Sequence, residues 1–267
     1  ETTVNGIPFG WVPGLGPGVA HGFSTRLGGV SPAPWDSLNL GGSCGDDPER
    51  VSENFRRFCA AIGVDETRLV MTHQVHEDGI RVATAADVLP DLLDPIDYRV
   101  DGLVTNTPGL ALTIYYADCI PVLLYDPVGK AIAAVHSGWR GTSLGIAPKA
   151  VAKMTALYGT RPEDVLAAIG PGIGPCCFET HDDVPTALED RLGPAVRPFC
   201  HPLEQAAGKF TVDLKGIIAW ELRQAGLAEE HIDTLPLCTA CHPELYWSHR
   251  KMGDQRGNHA AMIALEG

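Results

Sequence analysis

Apolar residues in this chain gather in short, nearly unbroken runs separated by Gly, Pro and Asp. Runs of strand length cover 19–23, 68–72, 79–83, 101–105, 110–116, 121–126, 130–136, 165–169 and 259–265. Their bounding turn residues and β-branched content predict β-strands. Helical spacing predicts helices from Val51 to Ile62, near 181–192 and near 213–225. A further helix is expected after Ser137–Gly141, capped by Thr142 and carrying Leu144, Ala147, Ala150, Val151 and Met154 on one face. Strand clusters separated by unequal helices predict an α/β (α+β) fold of mixed β-sheets with outer helices, not a regular βαβ alternation. Apolar strands resume directly after the acidic loop at 89–99, and no repeat or disordered linker is visible, so one domain spanning 1–267 is expected.

Three runs stop at chemically able side chains. Ile114-Tyr115-Tyr116-Ala117-Asp118 leads to Cys119, Val135 leads to His136, and Leu69-Val70-Met71 leads into Thr72-His73-Gln74-Val75-His76. A residue at a strand end combines rigid placement with solvent access. One thiol and two imidazoles suit either a metal with an open position or a nucleophile with its base. His76, Cys119 and His136 lie 43 and 17 positions apart, so they form no local chelate. Spacing alone leaves the bland reading open, in which Cys119 is a small buried hydrophobe and the histidines are satisfied core groups.

The turn after His136 offers Arg140 and free N–H groups near Thr142, a setting that attracts phosphate or another anion. Ser248-His249-Arg250-Lys251, with Arg256 nearby, is the strongest basic cluster. It reads as a solvated charge run or as the guard of an anionic pocket. Gly170–Gly174 follows a strand and could bring backbone close to a ligand, though a plain turn explains it as well. Cys238-Thr239-Ala240-Cys241-His242 looks like half a zinc site, but the adjacent pair Cys176-Cys177 is too tightly spaced for a standard second half, which points to a structural role.

Charge narrows the partners. The 267 residues carry a net charge of −13, which disfavours nucleic acid and anionic membranes, since both require a basic surface. No apolar segment approaches the roughly 20 residues that span a bilayer. Glu1–Gly6 shows neither a basic nor an apolar signal region, and eight cysteines in a chain of this size are expected to be reduced, so a cytoplasmic location is predicted.

Several segments, in order, then point to one family: HGFSTRLGGVS (21–31), SLNLG (37–41), THQVH (72–76), DGLVT (101–105), YADCIPVLLYDP (116–127), AAVHSGWRGT (133–142), AAIGPGIGPCCFE (167–179) and SHRK (248–251). The chain resembles the YfiH-like, laccase-domain or polyphenol-oxidase-like family. The resemblance implies a single domain of mixed sheets with kinship to cysteine-hydrolase-like toxins. It also implies a pocket where His76, Cys119 and His136 converge on zinc, with copper as the alternative; His73 is not carried over. Members have been described as multicopper phenol oxidases and as peptidoglycan editing factors. They have also been described as purine nucleoside phosphorylases acting on adenosine, inosine, guanosine and methylthioadenosine, with adenosine deamination. Two departures stand out. Glu77 occupies a position that is usually Gly, and Arg256-Gly257-Asn258 stands where Gly-Arg is usual, so that Arg is not carried over, whereas Arg250 matches.

Ligand counting chooses among these activities. A multicopper centre uses about ten histidines in paired arrangements, whereas this chain has 10 in all and no His-x-His pair. One Cys and two His hold one metal. Purine nucleoside chemistry is therefore the expected activity, with nucleoside and phosphate as small-molecule substrates, Arg140, Arg250 and Thr142 binding the phosphate, and His76, Cys119 and His136 catalytic. Three alternatives stay open: copper-dependent phenol oxidation, a Cys119-dependent amidase with His136 as base, and a non-catalytic metal-binding module.

Overall fold

The computed structural model describes residues 2–267. Its first sheet has the order β1 (Thr2–Val4), β2 (Ile7–Gly10), β3 (Val19–Ser24), β15 (His259–Leu265), β7 (Ala111–Tyr116), β4 (Leu69–Val70). The second runs β14 (Ile232–Thr234), β10 (Leu166–Ile169), β8 (Ile120–Asp126), β9 (Ala131–Ser137), β6 (Gly102–Thr105), β5 (Ile80–Val82). A small third sheet orders β11 (Glu179–His181), β13 (Lys209–Val212) and β12 (Cys200–Pro202). The pairs β4–β7, β5–β6 and β10–β14 are parallel and the others antiparallel, so the sheets are mixed as expected.

The unbroken apolar runs have a simple cause. On β9, Ala131, Ala133 and Val135 face the helices, while Ile132 and Ala134 face the other sheet. On β15, Ala261, Ile263 and Leu265 face between the sheets, while Ala260, Met262 and Ala264 face outward under a helix. Strands covered on both faces cannot show polar alternation. The result is four layers, helix–sheet–sheet–helix. The first outer layer is α1 (Pro48–Ile62), which buries Val51, Phe55, Phe58 and Ile62 at helical spacing. The Asp47 carboxylate caps it by accepting the Glu49 N–H, and Gly63 ends it in the left-handed region at φ 77°. The second outer layer is α3 (Ile146–Tyr158) and α5 (Leu214–Gln224), packed on the second sheet, with α4 (Asp183–Leu192) lying against the small third sheet.

Two sequence-based expectations change. The helix after His136 begins earlier: α2 (Trp139–Ser143) is capped by Gly138, not by Thr142. Gly145, in the left-handed region at φ 69°, then breaks the helix before α3, so Leu144 closes α2 and is not part of the α3 face. The strand expected at 68–72 is only β4, because the chain bends away after Val70 to build the site. Among the described residues, no helix is long and apolar enough to cross a membrane.

Candidate functional site

β7 lies in the first sheet and β8 in the second, so Ala117-Asp118-Cys119 is a three-residue bridge between layers. Asp118 adopts φ 89°, a strained conformation for a non-glycine residue, and its surroundings hold it there. Its carboxylate accepts from Thr239 Oγ1 at 2.6 Å, Ser248 Oγ at 3.1 Å and the Arg250 N–H at 2.7 Å. Its carbonyl accepts the Ile173 N–H at 2.7 Å. Four donors from three distant segments thereby fix the direction in which Cys119 points.

Asp101, at the mouth of β6, performs the corresponding task for the histidines. One carboxylate oxygen accepts the His76 N–H (3.0 Å) and faces His136 Nδ1 (2.9 Å); the other accepts the N–H groups of Val75 and Glu77, each at 3.0 Å. This clasp stabilises the loop after β4 with His76 at φ 62°. His136 is the penultimate residue of β9, and its own N–H donates to the Asp101 carbonyl at 2.7 Å. Burial opposes ionisation of Asp101, yet His136 and the Glu77 and Val75 N–H groups hold its carboxyl below the usual range.

The three predicted residues do meet. The ligating atoms of His76, Cys119 and His136 all lie within 4.8 Å of one another, and the two imidazoles stand edge to face with centroids 4.9 Å apart. With Nδ1 of His136 donating to the carboxylate, Nε2 faces the sulfur, the carboxylate–histidine arrangement that orients a metal ligand. Burial works against the Cys119 thiolate, but the His136 charge and hydrogen bonds from His136 and His76 bring its thiol down to about 6. Burial likewise disfavours the His136 imidazolium, and the facing Cys119 and Asp101 outweigh it, raising His136 to about 9. A sulfur that readily becomes anionic beside two imidazoles is a donor set that fits a zinc or copper ion. Gly138 leaves room for it: a Cβ there would stand 2.9 Å from Cys119 Sγ and 3.5 Å from His76 Cδ2.

His76, Cys119 and Gly138 line a cavity of about 500 Å³, with His136 buried behind them. Arg140, Arg250 and Arg256 bring positive charge to its wall, His249 brings an imidazole, and Trp139 and Phe178 bring flat apolar surface. The Arg250 guanidinium donates to the carbonyls of Cys177 (2.9 Å) and Glu179 (3.1 Å) and stacks towards Phe178. Arg140 lies over the Trp139 ring at 4.3 Å. Arg256, set apart from the family pattern by the reversed Arg-Gly order, reaches the cavity and donates to Asn258 Oδ1. Thr142 does not reach it. That residue is fully buried inside α2, its N–H donates to the Gly138 carbonyl, and its hydroxyl bonds Ser137 Oγ at 2.9 Å.

Asp101 and Asp118 were not singled out from the sequence. The available signal was a lone carboxylate entering an apolar strand run, which an internal charge can satisfy only through several donors. The cysteine pairs require a correction as well: Cys176 and Cys177 fold onto Cys238 and Cys241, so the missing half of that motif is present.

The sequence matches, over residues 20–266, the family model described as multi-copper polyphenol oxidoreductase laccase. It is 35% identical over 260 residues to the purine nucleoside phosphorylase YlmD of Geobacillus stearothermophilus, covering 94% of this chain and 90% of that protein. It is 37% identical over 235 residues to the purine nucleoside phosphorylase YfiH of Shigella flexneri, covering 88% and 89%. Among solved structures, the hypothetical protein YfiH of Bacillus licheniformis superimposes with a TM-score of 0.88 at 33% identity, covering 93% of each chain.

Proposed function

This chain belongs to the multi-copper polyphenol oxidoreductase laccase family, and from that premise we propose that it is a purine nucleoside phosphorylase with one metal ion held by His76, Cys119 and His136. The observation that carries the reading is the convergence of those three ligands, two of them lining a cavity whose wall bears several cationic side chains in an otherwise acidic chain. The resident ion is zinc, with copper accepted by the same donors. When bound, such an ion supplies Lewis-acid polarisation of an oxygen or activation of water.

The chain's own residues account for binding. Arg140 and Arg250, aided by His249, hold the phosphate. Trp139 and Phe178 offer faces against which a purine ring stacks. In phosphorolysis a phosphate oxygen bonds to C1′ of the ribose as the bond from C1′ to the purine nitrogen breaks. The electron pair leaves with the purine, which takes up a proton. Substrates are adenosine, inosine, guanosine and methylthioadenosine; adenosine is also deaminated, with water replacing the amino group at C6 and ammonia leaving. Eight free cysteines favour action in the cytoplasm.

Incubation with adenosine and phosphate, followed by chromatography, tests this. Adenine and ribose 1-phosphate are expected, with inosine and ammonia from the deamination, and neither with Cys119→Ala. Unchanged nucleoside with metal-loaded wild type would refute the reading.

One observation favours a second reading. Cys119, His136 and Asp101 form a nucleophile, a base and an orienting carboxylate in sequence, as a cysteine amidase requires. Full amide hydrolysis by metal-stripped enzyme, abolished by alkylation of Cys119, would select it. Multicopper oxidation does not fit the residues. Among the described residues the two groupings able to hold a metal contain two histidines between them, against the roughly ten that a multicopper centre uses.

A further inference from the structure

Outside the cavity floor lies a second cluster of metal-ligating side chains. The sulfur atoms of Cys176, Cys177, Cys238 and Cys241 all lie within 4.8 Å of one another. Cys241 Sγ stands 3.4 Å from both Cys176 Sγ and Cys177 Sγ, 65 and 64 positions away in sequence. A zinc ion bound tetrahedrally at about 2.3 Å sets its sulfurs about 3.8 Å apart, close to what is found here. Two tight turns produce the arrangement. The N–H groups of Cys177 and Phe178 both return to the Gly174 carbonyl, throwing both neighbouring sulfurs to one side. The Cys241 N–H returns to the Cys238 carbonyl, as in a two-residue-spaced ligand pair.

We propose that these four cysteines form a structural tetrathiolate site for a divalent zinc ion. Two features favour the anionic, ligating form of Cys238 in particular. The Gly174 N–H donates to Cys238 Sγ at 3.2 Å, a bond that strengthens when the sulfur carries charge. The buried Lys215 ammonium is within electrostatic reach of Cys238 and Cys176, anchored by the carbonyls of Leu235 and Leu237, each at 2.8 Å. Four thiolates with one divalent cation leave two negative charges, and Lys215 offsets part of them.

The site's purpose follows from what it ties together. Gly172 pairs with Cys238 as an isolated parallel bridge, and the Thr239 N–H donates to the Gly172 carbonyl at 3.2 Å. From these two segments Ile173 and Thr239 reach Asp118, and Ile173 and Phe178 reach the cavity wall. The ion therefore staples together the scaffold behind Cys119 without touching the reacting groups.

The proposal does not depend on the reaction assigned to Cys119, and the test keeps the two apart. Cys119→Ala removes the other metal site, so metal in that variant reports on the cysteine cluster alone. Expected are one zinc per chain by elemental analysis and native mass spectrometry. After exchange into Co²⁺, the same variant should show the intense near-ultraviolet charge transfer of four thiolates. Cys119→Ala combined with Cys238→Ser and Cys241→Ser should lose that equivalent and melt at lower temperature. If the combined variant fails to fold, the Cys119→Ala measurement decides by itself. A Cys119→Ala protein prepared with zinc under reducing conditions that holds no metal overturns the proposal, whether its cysteines are free or paired as disulfides.

Discussion

Asp101→Asn is the sharpest perturbation of this site, because it changes one atom in a clasp of four donors. Each carboxylate oxygen faces two donors, so an amide nitrogen in either place sets two partly buried donors against a third. In one orientation the Val75 and Glu77 N–H groups lose their acceptor and the His76 loop relaxes. In the other, the amide nitrogen meets the His76 N–H and His136 Nδ1, and His136 can keep its bond only by moving its proton to Nε2, the nitrogen facing Cys119. An unsatisfied donor costs about 1–3 kcal/mol, so the loss is about 2 kcal/mol if one donor is orphaned and roughly 4 kcal/mol if two are. With an unfolding entropy of about 2.1 cal/mol/K per residue, a chain of 267 residues should lose about 4–7 °C in melting temperature. Metal affinity should fall about 10- to 100-fold, as for other lost partners of ligating histidines. Melting of the metal-free protein and zinc competition against a chromophoric chelator read the two effects separately. A variant that melts within about 2 °C of wild type and binds zinc as tightly would refute the assignment of Asp101 as the residue positioning both histidines.

Three further outcomes are expected. Gly138→Ala places a methyl 2.9 Å from Cys119 Sγ at an ordinary φ of −72°, so it should weaken metal binding by about 1–3 kcal/mol while leaving secondary structure intact; isothermal titration with zinc checks it. Arg140→Ala should lower kcat/KM for phosphate about tenfold or more, with metal content unchanged, which steady-state kinetics at varied phosphate measure. Burial lowers His21 to about 4 and His259 to about 3, and their Nε2 atoms accept the N–H groups of Val12 and Trp247. The unfolded chain therefore binds these protons first, so the stability they supply is complete above pH 6.5 and is lost as pH falls. Glu221, raised by burial to about 8, acts in the opposite sense above pH 4.5. Between pH 4.5 and 6 the net slope should be about 1.4 kcal/mol per pH unit, and Glu221→Gln should double it. Denaturant unfolding across that range gives the slope, and a flat profile in the variant would contradict it.

The sequence made the central strands readable because four stacked layers leave β7, β8, β9 and β15 covered on both faces, and continuous apolar runs are the trace of that. Strands such as β1 and β11–β13 leave little trace in the sequence because they are three or four residues long and mostly half-buried or exposed, with little periodicity to read. Cys119 and His136 were legible as chemically able residues at strand ends. Their convergence with His76 follows from the family resemblance alone and not from spacing, since it depends on a bridge between sheets and on a carboxylate 25 positions from the backbone it holds. The error at Thr142 has a local origin: Gly138 caps a helix as well as Thr does, and it does so four residues earlier, turning a presumed ligand into core. The four cysteines were misjudged because pairwise spacing says nothing about two turns that approach edge-on across more than 60 residues.

Cys119 hangs from a three-residue span joining one β-layer to the other, so its sulfur behaves as a gauge of how those layers sit. A substitution deep in the inter-sheet core, such as Phe23 or Leu123 shortened by a few atoms, would let one slab slip against the other. That slip would register first as altered alkylation kinetics at the thiol, before spectroscopy detects any loss of fold.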